Sequence, residues 1–395
     1  MKKLLMASVA ASTLFAGASY ADGHAVKIGV FLGFTGPIES IVANMGPAAE
    51  MAINEVSDSG ALLGGKKVVA VRGDTTCVDA GAATATAERL ITTDGVAAMV
   101  GGDCSGVTGA TLQNVARPNG IVMISPSATS PALTTAEDDG LFFRTAPSDA
   151  RQGEVVADIL SEKGVGSIAI TYTNNDYGKG LADSIEMNSK KAGIEVTISA
   201  AHEDGKGDYS AEVGALAQAG GDVLVVAGYL DQGGKGIIQG ALDTGAFDTF
   251  YLPDGMVGDS LPAAIGPDLN GSYGANPGTD SPGAAKFQSM ANGFDGTSAF
   301  AAESYDAAAL IMLAMQAAGS TESQAFKSKV FDVANAPGEK IYPGELAKAL
   351  KIIADGGDVD YVGASAVELI GPGESAGAYR QVEIKGGAIS VTGYR

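Results

Sequence analysis

Short runs of uniformly apolar residues alternate along this chain with stretches whose apolar positions recur every three to four residues. "VKIGVFL" precedes such a stretch near Ile41–Val56, "KVVAV" precedes Ala80–Leu90, and "VAAMV" precedes Val107–Val115 before "IVMI" follows. The rhythm restarts after "LFFRTAPSD": "SIAITY" leads to Leu181–Lys191, "IEVTISA" to Tyr209–Ala219, and "DVLVVAGY" to Gly236–Leu242 before "TFYLPDG". Strands that are apolar on both faces lie in sheets covered on both sides, and helices between successive strands make those strands parallel. Two series predict two doubly wound α/β lobes with mainly parallel sheets, similar in rhythm but without a sequence repeat. The tail differs. Helices near Ala301–Ala318, Gln324–Val333 and Gly344–Ala354 follow one another without strands, which places them back on the first lobe, and "RQVEIK" and "AISVTG" read as closing strands on the second.

The N-terminus sets the compartment. Lys2 and Lys3 precede an apolar stretch from Leu4 to Phe15, and Ser19 and Ala21 stand at the small positions before a cut after Ala21. This is the pattern of a cleavable signal peptide over residues 1–21, too short to span a bilayer, and it directs the chain to a bacterial periplasm. About 370 residues then remain, more than one core usually holds, in line with two lobes. Cys77 and Cys104, 27 positions apart, read as one disulfide in an oxidising compartment, against the alternative of two buried thiols. A formal charge of −21 and a pI near 4.4 argue against nucleic acid and anionic lipid as partners.

Candidate chemistry lies where strands end, because open parallel sheets bind ligands beyond the carboxyl ends of their strands. The first-lobe ends, "GGDCSGVTG" and "SPSATSP", offer hydroxyls and glycine amides. The second-lobe ends, "TNNDYGKG", "LDQGG" and "PDGMVGD", offer Tyr177, Tyr229 and Asp254. Facing lobes would put anion-binding donors on one wall and aromatic surface with one carboxylate on the other, which suits a zwitterion. Taken singly, each signal also has a plain reading: hydroxyls between Pro126 and Pro131 as turn residues, Ser105 as a helix cap, and Asp254-Gly255 as a turn pair. Enzyme signatures are missing from the sequence. "GALLGGKK" puts Lys67 where a phosphate-binding loop needs Ser or Thr, His24 and His202 are the two histidines, and no metal-ligand spacing or G-x-S-x-G turn occurs. The chain therefore reads as a non-enzyme without cofactor or metal.

The stretches "KIGVFLGFTGP", "CSGVT", "MISPSATSPAL", "TNNDYGKGLA", "ESYDAAAL" and "GAYRQVEIK" resemble the periplasmic Leu/Ile/Val-binding proteins, from about Val26 to the C-terminus. These are the substrate-binding subunits of branched-chain amino acid ABC transporters. The resemblance implies a type I periplasmic binding protein fold, two lobes joined by a three-strand hinge with crossings near Thr145, Ala275 and Val359. It assigns 22–145 and 276–359 to lobe 1 and 146–275 and 360–395 to lobe 2. It pairs Cys77 with Cys104, places Ser105 on the ligand carboxylate, Ser127 and Ala128 as backbone contacts, and Thr129 at both ends of the zwitterion. Tyr177 and Tyr229 become second-lobe contacts, and Asp254 faces the ammonium. Two departures bear on the ligand side chain: Asp254 stands where Glu is common, and Ile41 where an aromatic often covers the ligand. The expected role is a monomeric periplasmic binder of a branched-chain or related small aliphatic amino acid, delivering it to membrane permease subunits. The alternatives are an amide, urea, small carboxylic or aromatic acid ligand, or a sensor acting with a separate membrane receptor.

Overall fold

The computed structural model describes residues 25–395; the expected signal peptide and His24 lie outside the described residues. Five strands open the chain: β1 (Val26–Leu32), β2 (Val68–Asp74), β3 (Ala98–Gly101), β4 (Val122–Ser125) and β5 (Phe142–Arg144). Five more follow: β6 (Ser167–Thr173), β7 (Glu195–His202), β8 (Val223–Ala227), β9 (Phe250–Leu252) and β10 (Tyr273–Pro277). Late in the chain come β11 (Glu339–Ile341), β12 (Val359–Tyr361), β13 (Leu369–Ile370), β14 (Glu374–Ser375), β15 (Tyr379–Lys385) and β16 (Ala388–Tyr394). They form two seven-stranded sheets, in the orders β13-β14-β5-β4-β3-β1-β2 and β16-β15-β10-β9-β8-β6-β7, and one small parallel pair, β11-β12.

The two large sheets are wound alike. In each, the first strand sits one place in from an edge, with the second strand outside it and the third on its inner side. The register follows, with Ile28 opposite both Ala70 and Ala98, and Ile170 opposite both Ser199 and Val225. β3, β4 and β8 are buried at every position, which is why they read as continuous apolar runs. The strand order reverses beside β1 and β6, and a crevice opens at the carboxyl ends of such strands. Most helices sit close to the expected ranges, but the one expected over Gln324–Val333 is two short helices, Ser323–Phe326 and Lys329–Ala334, and β11 stands between them and Leu346–Ala354, where no strand was expected. The helix read from Leu181 begins at Asp176, because the Asn175 side chain accepts from the Gly178 N–H and caps it.

Three segments cross between the sheets, and one differs from expectation. The first follows β5 and the second follows β10. The third lies between β14 and β15, not near Val359. Val359 begins β12, which pairs with β11, and Glu374 of β14 pairs alongside Arg144 of β5 in the first sheet. The buried Arg144 guanidinium fixes that attachment by an ion pair to Glu374 at 2.6 Å. Two-residue strands such as β13 and β14 leave no periodic signal, so sequence alone placed the boundary too early. The crossings pack as one unit: the Gly278 N–H donates to the Ala378 carbonyl at 3.0 Å, and Gly377 lies against Pro147.

Candidate functional site

A small cavity lies between the two lobes at the strand ends, lined by Ile38, Ile41, Asp103, Cys104, Ser105, Ser127, Tyr177, Tyr229, Asp254, Gly255 and Phe300. Its first-lobe wall begins at a disulfide. Cys77 and Cys104 are bonded, with Cα atoms 5.1 Å apart, which ties the loop after β2 to the loop after β3. Ser105 follows Cys104 at the start of a helix, so its amide has no partner within that helix. Its Oγ accepts from the Ser130 N–H at 3.1 Å.

The "SPSATSP" loop splits into residues that build it and residues that remain available. Ser125 Oγ donates to the Gly102 carbonyl at 2.5 Å and accepts from the amides of Ser127 at 3.3 Å and Ala128 at 2.9 Å. The Ala128 carbonyl accepts from Arg144 at 3.0 Å. Ala128, expected as a backbone contact, thus uses both its polar groups inside the loop and does not line the cavity. Ser127 does line it, its Oγ donating to the Asp103 carbonyl at 3.1 Å. Thr129 is fully buried, and its Oγ1 has no hydrogen-bond partner.

The second-lobe wall carries Tyr177, Tyr229 and Asp254 together, as expected. The two tyrosine rings stack with centroids 5.2 Å apart and planes at 12°. The Tyr177 hydroxyl donates to Asp254 Oδ1 at 2.6 Å, and the Gly255 N–H donates to the same oxygen at 2.7 Å. Asp254 Oδ2 is buried and has no partner. Burial raises the Asp254 carboxyl above its ordinary value.

Three residues at this end went unnoticed in the sequence. Asp149 opens the helix that follows the first crossing. It is fully buried, its N–H donates to the Thr129 carbonyl at 2.8 Å, and its carboxyl lies near the Thr129 hydroxyl and the Arg144 charge. Burial, reinforced by the Asp254 charge, pushes the Asp149 carboxyl well up. Gln152 links the pair: its amide donates to Asp149 at 3.3 Å and its oxygen accepts from the Asp254 N–H at 3.2 Å. The buried Tyr379 hydroxyl lies beside Gln152. In "PSDARQ" an Asp after Ser reads as helix-start chemistry, and no signal in the sequence shows that the crossing folds it back toward the end of β9.

The remaining surface is apolar, from Ile38, Ile41 and Phe300. Ile41 is where the sequence placed a lid. Phe300 lies just before the helix Ala301–Ala318 in a polar, glycine-containing stretch that gave no strand or helix signal. Asp103 also lines the cavity, but its two oxygens are held by the Gly33 N–H and the Thr75 hydroxyl, both at 2.7 Å, so it organises loops. Among the described residues lining the cavity there is no Lys, Arg or His. Among the described residues there is also no cluster of three His, Cys, Asp or Glu able to hold a metal, and no helix long and apolar enough to cross a membrane.

Three comparisons bear on this geometry. The sequence profile of a family described as "Periplasmic binding protein" matches residues 25–338. A Leu/Ile/Val-binding protein homolog from Brucella melitensis is 31% identical over 332 residues, which is 82% of this chain and 86% of that one. The crystal structure of a leucine-binding protein, LivK, from Thermotoga maritima superposes with a TM-score of 0.76 at 20% identity, covering 93% of this chain and 98% of that one. A solute-binding protein of an ABC transporter from R. palustris, solved in complex with benzoate, superposes with a TM-score of 0.72 at 19% identity, covering 94% and 96%.

Proposed function

The chain belongs to the periplasmic binding protein family, and we propose that it captures an amino acid with a small aliphatic side chain in the inter-lobe cavity and delivers it to the permease of an ATP-driven importer. The observation that carries this reading is the buried, unpartnered carboxylate oxygen Asp254 Oδ2 in a cavity whose described lining has no Lys, Arg or His. A buried carboxylate needs a charged or hydrogen-bonded partner, and a ligand ammonium supplies one. The Ser105 hydroxyl and helix-start amide offer donors for the ligand carboxylate on the other lobe, so no Arg is needed. Ile38, Ile41 and Phe300 suit a short apolar side chain. Because the donors and Asp254 sit on different lobes, only the closed state satisfies both ends of the ligand, and ligand therefore favours closure.

The same features disfavour an acid without an amine, such as the benzoate held by the R. palustris protein. It would fill the apolar wall but leave Asp254 unpaired. Delivery to a permease implies export to the periplasm, action as a monomer and release of the ligand unchanged, without catalysis. Isothermal calorimetry against leucine, isoleucine, valine, alanine, benzoate and acetamide tests the reading. Binding is expected for the small aliphatic amino acids and not for benzoate or acetamide. Binding of benzoate or acetamide with no response to any amino acid would overturn it.

A further inference from the structure

The helix Glu39–Ser59 begins without a cap of its own. Its N-cap residue is Ile38, which has no side-chain acceptor for the first free amides. An acceptor arrives from the other lobe. Asp231, in the loop after β8, accepts from the Ser40 N–H at 3.0 Å and from the Ser40 hydroxyl at 2.8 and 2.9 Å. The Asp231 N–H donates to the Pro37 carbonyl at 3.1 Å. Ser260, at the start of the helix Ser260–Ile265, donates to Asp231 Oδ1 at 2.9 Å and steadies the carboxylate from its own lobe.

We propose that Asp231 is a positioning residue for ligand capture: by capping from one lobe the first turn of a helix on the other, it seats Ile38 and Ile41 over the cavity and couples lobe closure to affinity. The two isoleucines flank Ser40 in the capped turn, and both line the cavity. Asp231 does not line it, and neither does Ser40, so any effect of either on the ligand passes through the position of the lobes. The carboxylate also complements the positive end of the helix, and its bonds to the Ser40 amide and hydroxyl are charge-assisted. The Leu230 N–H donates to the Gly255 carbonyl at 3.0 Å, so the Asp231 loop is tied to the one that carries Asp254. Bonds between lobes form only when the lobes meet, so they stabilise the closed state, and apparent affinity rises with its population.

The inference rests on the binding reading above only for leucine as the probe. Spin labels at Val69→Cys and Met187→Cys, exposed positions on opposite lobes, report the inter-lobe distance by double electron–electron resonance. Asp231→Ala and Ser40→Ala are each expected to shift the distances longer than in the labelled parent, with and without leucine. Both should weaken leucine binding by about fivefold or more, the scale of a lost helix cap, mainly through faster dissociation. Unchanged distances in Ser40→Ala, which keeps a helix former at that position, would overturn the proposal, even if leucine binds more weakly. If the parent itself does not bind leucine, the ligand reading fails and the distances alone judge the role of Asp231.

Discussion

At the residue scale the informative groups are those that lack partners. Asp254→Asn removes the charge but keeps the shape. It should weaken an ammonium-bearing ligand by about 1.5–3 kcal/mol, the range for a charged hydrogen bond. Calorimetry with leucine checks this, and unchanged affinity would show that the ammonium sits elsewhere. The protons carry a second sign. Burial raises the Asp254 carboxyl, and the neighbouring Asp149 well up, while a ligand ammonium needs Asp254 ionised. Affinity should therefore fall as pH drops through the raised value of Asp254, and binding near that value should release protons. The enthalpy of binding should accordingly depend on the ionisation heat of the buffer. That Ser105, Ser127, Tyr177, Tyr229 and Asp254 line one cavity was legible because each lies within a few residues of the carboxyl end of a strand, where α/β sheets open a crevice. Asp149 and Tyr379 could not, because their place beside Asp254 depends on how the hinge segments cross.

At the scale of elements the hinge is the part most sensitive to shape. Gly377 adopts a left-handed backbone with φ of 73°, and a Cβ there would lie 2.3 Å from Pro147 Cβ. Gly377→Ala combines a strained conformation with a clash between two crossing segments, and should cost about 1–3 kcal/mol. Denaturant titration measures the loss; an unchanged midpoint would mean that the two segments separate freely. The long strands and helices were visible because burial on both faces, or on one stripe, writes a period into the residues. β13 and β14 are too short to hold a period and are held in the first sheet by contacts to β5, above all the Arg144–Glu374 ion pair. That is why the third crossing was expected near Val359 and is found after Ser375. A trans-lobe cap such as Asp231 is equally invisible in sequence, since "LDQGG" reads only as a strand end and nothing local points its carboxylate at Ser40.

At the scale of the whole molecule, charge and burial set a pH dependence opposite to that of ligand binding. Burial raises Glu303 to about 7 and Asp306 to about 6, above their ordinary values of 4.5 and 3.8. The folded state thus holds these protons more tightly than the unfolded chain does. Their stabilisation is complete below the ordinary values and is lost as pH rises through the raised ones. Self-repulsion from a net charge of −21 acts in the same direction. The ligand-free protein should unfold at a lower denaturant concentration at about pH 8 than at about pH 5.5, at matched ionic strength. A higher midpoint at the alkaline pH would contradict that balance. The sequence by itself determined the two α/β lobes and the strand ends that line the cavity between them, because local periodicity and strand-end position are written residue by residue. Only the tertiary structure decided where the chain last crosses the hinge, which residues pack behind Asp254 and which side chain bonds across the lobes, because each depends on contacts between residues far apart in the chain.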